Sequence, residues 1–447
     1  MADADTSRSL ARRVSTFELA ATGVGVILGA GIYVLLGEAA GQTGGAVWIP
    51  FALAALAASL TGLTYAELAS SFPSSAASFE FARRAFGNRL GFVTGWTMLF
   101  AMTIPAAAVG LGFAGYMGEF VGLPSRLMAI VLILLSAAVL VRGVTESVRI
   151  GVSFAMIEAI GLLLVVTVSV PFIGIGPDGG SVDYLHSPDG LGGVFATTAL
   201  VFFAFLGFEQ IANLGEEAKN PQRGLPIAIV TSILITSVVY ILVTVSAVSV
   251  VAWEELSESS APLSLVVRKA TGADLANVLS VIALFATANT VLFTMLAGSR
   301  AVYGMARDGS LPTALAGVRR KQRTPWVAVM VISVVAILFT LIGDIGDVAD
   351  LTNASVLFAF AVVNAALIRI RLRGDVMPGA FHTPLSFRRV PLVPVLGLAI
   401  SIGMMVYTGF EAVVFLIGLV LLGLIIDLVL NRRRSGTNHP EILSTTG

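Results

Sequence analysis

The chain is 447 residues long, 56% hydrophobic and only 12% charged, with a mean hydropathy of +0.92. That is too apolar for a soluble domain, so the solvent to reason with is a lipid bilayer. A formal net charge of zero leaves no nucleic-acid footprint, and the absence of cysteine excludes disulfides, thiol nucleophiles and thiolate metal sites.

Residues 1–16, "MADADTSRSLARRVST", form a short polar tail without a cleavable apolar stretch. The first hydrophobic segment is therefore expected to stay in the mature protein. From there the chain predicts twelve spans of about 20 apolar residues or more. They lie at about 17–39, 46–70, 91–121, 125–143, 150–176, 191–215, 225–251, 275–305, 325–343, 351–371, 390–409 and 411–430. Spans 3 and 8 are longer than one crossing needs and should tilt or extend into water.

Span 1 contains "GVILGAGIY" (25–33), with Gly23, Gly25, Gly29 and Gly31 where a helix should be most regular. Each such glycine costs about 0.5–1 kcal/mol relative to alanine. A break at Gly29-Ala30-Gly31 would expose amide N–H groups at the start of a half-helix, a site suited to a carboxylate. Close helix packing through Gly25 and Gly29 explains the same glycines. Taken alone, this segment leaves both readings open.

Between spans 2 and 3, "SSFPSSAASFEFARRAFG" (70–87) spaces Phe79, Phe86 and basic residues as an amphipathic helix at the cytoplasmic surface. Span 3, "GWTMLFAMTIPAAAVGLG" (95–112), carries no acid, and Pro105 is placed to kink it. Span 5, "SFAMIEAIGLLLVV", buries Glu158, and span 6 centres on Gly207 and Glu209 in "ALVFFAFLGFEQIANLGEEAKNPQRGLPIAI" (199–229). Intramembrane carboxyls are expensive and are functional candidates by default. Glu18, Glu67, Glu216 and Glu217 fall near span ends, where interfacial or gate-pairing roles suffice, and Glu411 and Asp427 sit near the ends of the last span.

Lys and Arg set the orientation. Arg8, Arg12 and Arg13 precede span 1. Arg83, Arg84 and Arg89 follow span 2, Arg142 and Arg149 span 4, and Lys219 and Arg223 span 6. Arg300, Arg307, Arg319, Arg320, Lys321 and Arg323 follow span 8, while Arg369, Arg371, Arg373, Arg388 and Arg389 follow span 10. Arg432, Arg433 and Arg434 follow span 12, leaving only Arg126, Arg268 and Lys269 for the other side. Both termini are expected in the cytoplasm. The longest connections, about 176–190, 252–274, 308–324 and 372–389, are too short for a further domain. If spans 1–5 and 6–10 are two halves, the odd number makes them inverted, and spans 1 and 6 occupy corresponding positions. Paired interrupted segments in inverted halves point to a midplane site in a secondary transporter.

At "GVGVILGAGIYVLLG" (23–37), "LTYAELASSFPSSAASFEFARRAFG" (63–87), "FFAFLGFEQIANLGEEAKNPQRGLPIAI" (202–229) and "SRAVYGMARDGSLP" (299–312) the chain resembles the amino acid–polyamine–organocation superfamily of transporters. The resemblance covers nearly the whole length. It implies an all-α membrane protein of the leucine-transporter fold. A ten-helix 5+5 inverted-repeat core would occupy 17–373, with repeats at about 17–176 and 190–373. A connecting loop and peripheral helices 11 and 12 would follow at 374–430, then a cytoplasmic tail at 431–447.

The resemblance also implies alternating access at the cytoplasmic membrane, with the substrate between broken spans 1 and 6. The substrate carboxylate would meet the amides of Gly29, Ala30 and Gly31. Its ammonium would meet carbonyls of Phe203, Ala204 and Leu206, with Phe203 as the aromatic that closes over it. Phe203, Phe205, Met102 and Ile104 are candidate walls of an apolar side-chain pocket. Relatives that couple to protons or need no sodium tend to carry a lysine where this chain has Glu158, so that mechanism does not transfer. Three roles stay open for Glu158: a proton carrier, a Na⁺ ligand with span 1 carbonyls and Asn289, or a hydrogen-bonded structural acid. Glu209 is a second titrating group or a structural link.

Relatives that prefer cationic amino acids often carry an acid in span 3, so the resemblance implies neutral or broadly specific amino acid transport here, while the buried Glu158 favours coupling to protons over Na⁺. The rival is an amine or polyamine transporter, or an exchanger, that uses Glu158 or Glu209 as substrate counter-ion. His186, His382 and His439 fall outside the spans and no metal-binding motif occurs, so neither an enzyme nor a metal or other cofactor is expected.

Overall fold

The structure is a computed structural model that describes residues 14–436 apart from 75, 143–146, 177–178, 308, 319–323, 376–378 and 388–389. Arg8, Arg12, Arg13, Arg319, Arg320, Lys321, Arg323, Arg388, Arg389 and His439, named above, lie outside the described residues.

Ser15 starts the first helix with a reciprocal cap. Its hydroxyl accepts from the Glu18 amide at 3.3 Å while the Glu18 carboxylate accepts from the Ser15 amide at 2.7 Å. Helix α1 (Thr16–Leu28) follows, and α2 (Gly31–Thr43) continues after two residues with a 40° bend. Next come α3 (Trp48–Ser71), α4 (Ala77–Phe86), α5 (Asn88–Thr103), α6 (Pro105–Gly118), α7 (Ser125–Arg142) and α8 (Ser147–Ser169). Pro105 sits at the first position of α6, and Ile104 before it is itself in helical conformation, so α5 and α6 follow one another as a single span of 31 residues.

Helix α9 (Gly190–Val201) runs into a 3-10 turn, Phe202–Phe205, and the short α10 (Phe208–Asn213) completes span 6. The remaining helices are α11 (Pro221–Val250), α12 (Trp253–Glu258), α13 (Pro262–Thr271), α14 (Ala273–Arg307), α15 (Trp326–Ile342) and α16 (Ile345–Arg373). A small hairpin of β1 (Ser386–Phe387) and β2 (Val390–Pro391) leads to α17 (Leu392–Tyr407) and α18 (Phe410–Gly436).

Among the described residues nine helices are long and apolar enough to cross a membrane, and the bent α1–α2 pair makes ten. Two further predicted spans, α15 and α17, are apolar but only 17 and 16 residues long. Apolar side chains face outward in helical register, as Leu127, Val131, Leu134 and Leu135 do on α7 and Leu234, Val238 and Leu242 on α11. In water such faces would collapse; against lipid they are solvated. The predicted amphipathic helix forms as α4. It presses Phe81, Ala82 and Ala85 into the protein, with α5 and α16 as neighbours, and keeps Arg83 and Arg84 exposed.

Charge pairs brace both ends. Arg268 pairs with Glu119, and Lys269 with Glu255 at 2.9 Å, joining α6, α12 and α13. At the opposite end the fully buried Glu67 of α3 accepts from Arg371 of α16 at 2.6 and 2.5 Å, and from the Thr383 amide at 2.7 Å.

Candidate functional site

The two broken spans meet each other. A Cβ on Gly31 would lie 2.5 Å from the Cα of Ala204, so span 1 admits only glycine where span 6 unwinds. Reciprocally, a Cβ on Gly207 would lie 2.6 Å from Val26 Cγ1. Gly207 also has φ of 129°, a conformation that side chains resist. The glycines that looked costly in a continuous helix are thus spent on contact between two backbones.

Side chains of neighbouring helices take up the backbone groups that these breaks orphan. The Ala30 amide donates to Thr290 Oγ1 of α14 at 3.1 Å. The Tyr240 hydroxyl of α11 stands 2.5 Å from the Ile27 carbonyl and 3.0 Å from the Ala204 carbonyl, so a single proton is shared between the two broken spans. Asn353 of α16 donates to the carbonyls of Ala199 and Leu200, and Glu209 accepts from the Gly207 amide at 2.8 Å. Glu209 therefore caps its own half-helix rather than reaching span 1 or span 10.

Phe203 and Ile104 pack with Ala30 in one buried cluster. Phe205 does not join them. Its ring stands edge-on to Tyr240 at 5.2 Å, in the separate cluster that contains Ala204. Met102 is half-buried against that second cluster, and Leu206 touches both. Of the expected pocket walls, then, Phe203 and Ile104 share a surface with the break in span 1, and Phe205 turns into the core.

Glu158 is fully buried behind the break. Its Oε1 accepts weakly from Asn289 Nδ2 at 3.4 Å, while Glu158 Oε2 and Asn289 Oδ1 are buried without partners among the described residues. Its backbone carbonyl accepts from the Tyr33 hydroxyl at 3.0 Å. Asn289 adjoins Thr290, which holds Ala30, so a short chain of contacts links the carboxyl to the break. Sequence reasoning found Glu158 and Asn289 but missed Tyr240, Thr290 and Asn353. The available signal was a tyrosine, threonine or asparagine within an apolar span, which must find a partner once buried.

Residues 14–427 match the family model described as amino acid permease. The chain belongs to that family. Among its relatives, the branched-chain amino acid permease BcaP of Bacillus subtilis is 29% identical, over 97% of this chain and 96% of its own length. The methylthioribose transporter of the same organism is 30% identical over 89% of each chain. The vacuolar cationic amino acid transporter 4 of Arabidopsis thaliana is 29% identical, over 82% of this chain and 64% of its own. Family and relatives alike make this permease a transporter embedded in a membrane.

Proposed function

We propose that this permease is a secondary transporter of neutral or broadly specific amino acids, driven by protons and working by alternating access in the cytoplasmic membrane. The interlocked breaks at Gly29–Gly31 and Phe203–Gly207 carry the reading. A zwitterion gives its carboxylate to the start of α2 and its ammonium to carbonyls of Phe203, Ala204 and Leu206, leaving its side chain to Phe203 and Ile104. Because Thr290 takes the Ala30 amide, the carboxylate falls chiefly to the amides of Gly29 and Gly31.

Twelve spans make up the architecture: α15 and α17 cross despite their length, and a 5+5 inverted core at 17–373 precedes two peripheral helices. Both termini lie in the cytoplasm, as the Lys and Arg distribution requires. The orphaned oxygens of Glu158 and Asn289 support the proton role. A protonated Glu158 can donate to Asn289 Oδ1 while accepting from its Nδ2, a closed acid–amide pair that an ionised carboxyl cannot form. A counter-ion role for the same carboxyl in an amine transporter rests on its fully buried oxygens. Counterflow in proteoliposomes with labelled amino acids and amines, with and without a pH gradient, separates the two. Saturable uptake of amino acids stimulated by the gradient supports the proposal; uptake of amines that lack a carboxylate overturns it.

A further inference from the structure

Asn353 lies about two turns into α16 and is fully buried. Its Nδ2 donates to the carbonyl oxygens of Ala199 at 2.8 Å and Leu200 at 3.0 Å. Those carbonyls end α9, where the chain leaves α-helical geometry for the turn Phe202–Phe205; the Leu200 carbonyl also accepts from the Phe202 amide that closes the helix, so Asn353 adds a second donor there. Both neighbours can only accept, so the amide must present its nitrogen to them. Its Oδ1 is left buried without a partner among the described residues.

A half-satisfied buried amide is a poor way to fill space, because an apolar side chain of the same shape avoids the orphaned oxygen. Asn364, further along α16, shows the contrast: its Oδ1 accepts from Thr64, and its Nδ2 meets Thr61 and the Phe360 carbonyl. What Asn353 does instead is fix the end of α9. Leu200 and Phe203 pack in the same cluster as Val348 and Ala349 of α16, so the helix that carries Asn353 also backs the aromatic wall.

We propose that Asn353 is a positioning residue of the substrate chamber: by holding the Ala199 and Leu200 carbonyls it sets where α9 stops and where Phe203 stands. Its effect on transport rests on the reading of span 6 as substrate site; its effect on the helix end does not. The chain has no cysteine, so Leu200→Cys supplies a single buried thiol as a local probe. Adding Asn353→Leu to it should speed maleimide labelling about tenfold, the effect of losing two hydrogen bonds. In otherwise native protein in proteoliposomes, Asn353→Leu should raise KM for leucine about tenfold with Vmax nearly unchanged. Asn353→Ser should act in the same direction if the leucine variant does not fold.

The control is Asn364→Leu, which should lower thermal stability and leave both readouts alone. Unchanged labelling and KM in the Asn353 variants, or an equal shift from Asn364→Leu, overturns the positioning role. Faster labelling only in the Asn353 variants, with no protein transporting any labelled amino acid, keeps the positioning role and removes the amino acid reading.

Discussion

Gly207 and Val26 touch across the two broken spans so closely that a methyl group on Gly207 would sit 2.6 Å from the Val26 side chain. With φ at 129°, Gly207 is also held where L side chains rarely go. Gly207→Ala is therefore expected to destabilise the protein by about 1–3 kcal/mol and to abolish uptake. Thermal unfolding in detergent and counterflow in proteoliposomes measure the two effects.

The Gly31–Ala204 contact gives a sharper comparison. Gly31→Ala pushes against backbone 2.5 Å away, whereas a Cβ on Gly304, within α14, meets nothing within 4 Å. Gly304→Ala should be neutral or stabilise by about 0.5–1 kcal/mol, with transport retained. Gly31→Ala should lose substrate binding. Equal effects from the two would mean that the breaks need not touch.

Tyr240→Phe removes the one proton shared by the Ile27 and Ala204 carbonyls. Two buried carbonyls then lose their donor, at a cost of about 1–3 kcal/mol. Because those carbonyls belong to the two breaks, uptake should fall more than folded protein does. Uptake normalised to correctly folded carrier reads this directly.

For Glu158 the pH dependence has a definite sign. A carboxyl that carries a proton inward must gain it outside and lose it inside, so an acidic exterior accelerates uptake by the native protein. Glu158→Gln keeps the shape and the contact with Asn289 but cannot titrate. It should exchange substrate across the membrane and show no response to a pH gradient. A gradient response equal to that of the native protein removes the proton role, and a requirement for Na⁺ in the native protein replaces it with cation binding.

Glu67 tests the frame rather than the site. Its carboxylate is fully buried and bidentate with Arg371, so Glu67→Gln strands a guanidinium and should cost about 3–5 kcal/mol. Denaturation midpoints of the two proteins give the comparison.

The long apolar helices and both breaks were legible because hydropathy and glycine placement are local signals. The facing of Phe205 was not. The family resemblance makes both Phe203 and Phe205 pocket walls, but residues two apart face different ways in any helix, and here the chain makes a 3-10 turn at Phe202–Phe205. With three residues per turn, Phe202 and Phe205 share a face and Phe203 stands apart. Tyr240, Thr290 and Asn353 escaped notice for another reason. Each is one of several polar residues in its helix, and its partner is a backbone group on a distant segment that no periodicity encodes. Glu209 was legible as a buried acid, yet its capping of Gly207 depends on the break being formed.

In the proposed site the break in span 1 receives a carboxylate while the break in span 6 receives an ammonium. Calorimetric titration of the purified permease with leucine, 3-methylbutylamine and 4-methylpentanoate tests it most directly, since the last two each lack one charged group. Leucine alone should bind saturably, and Gly31→Ala should lose that binding. Binding of 3-methylbutylamine as tight as that of leucine, unaffected by Gly31→Ala, would contradict it.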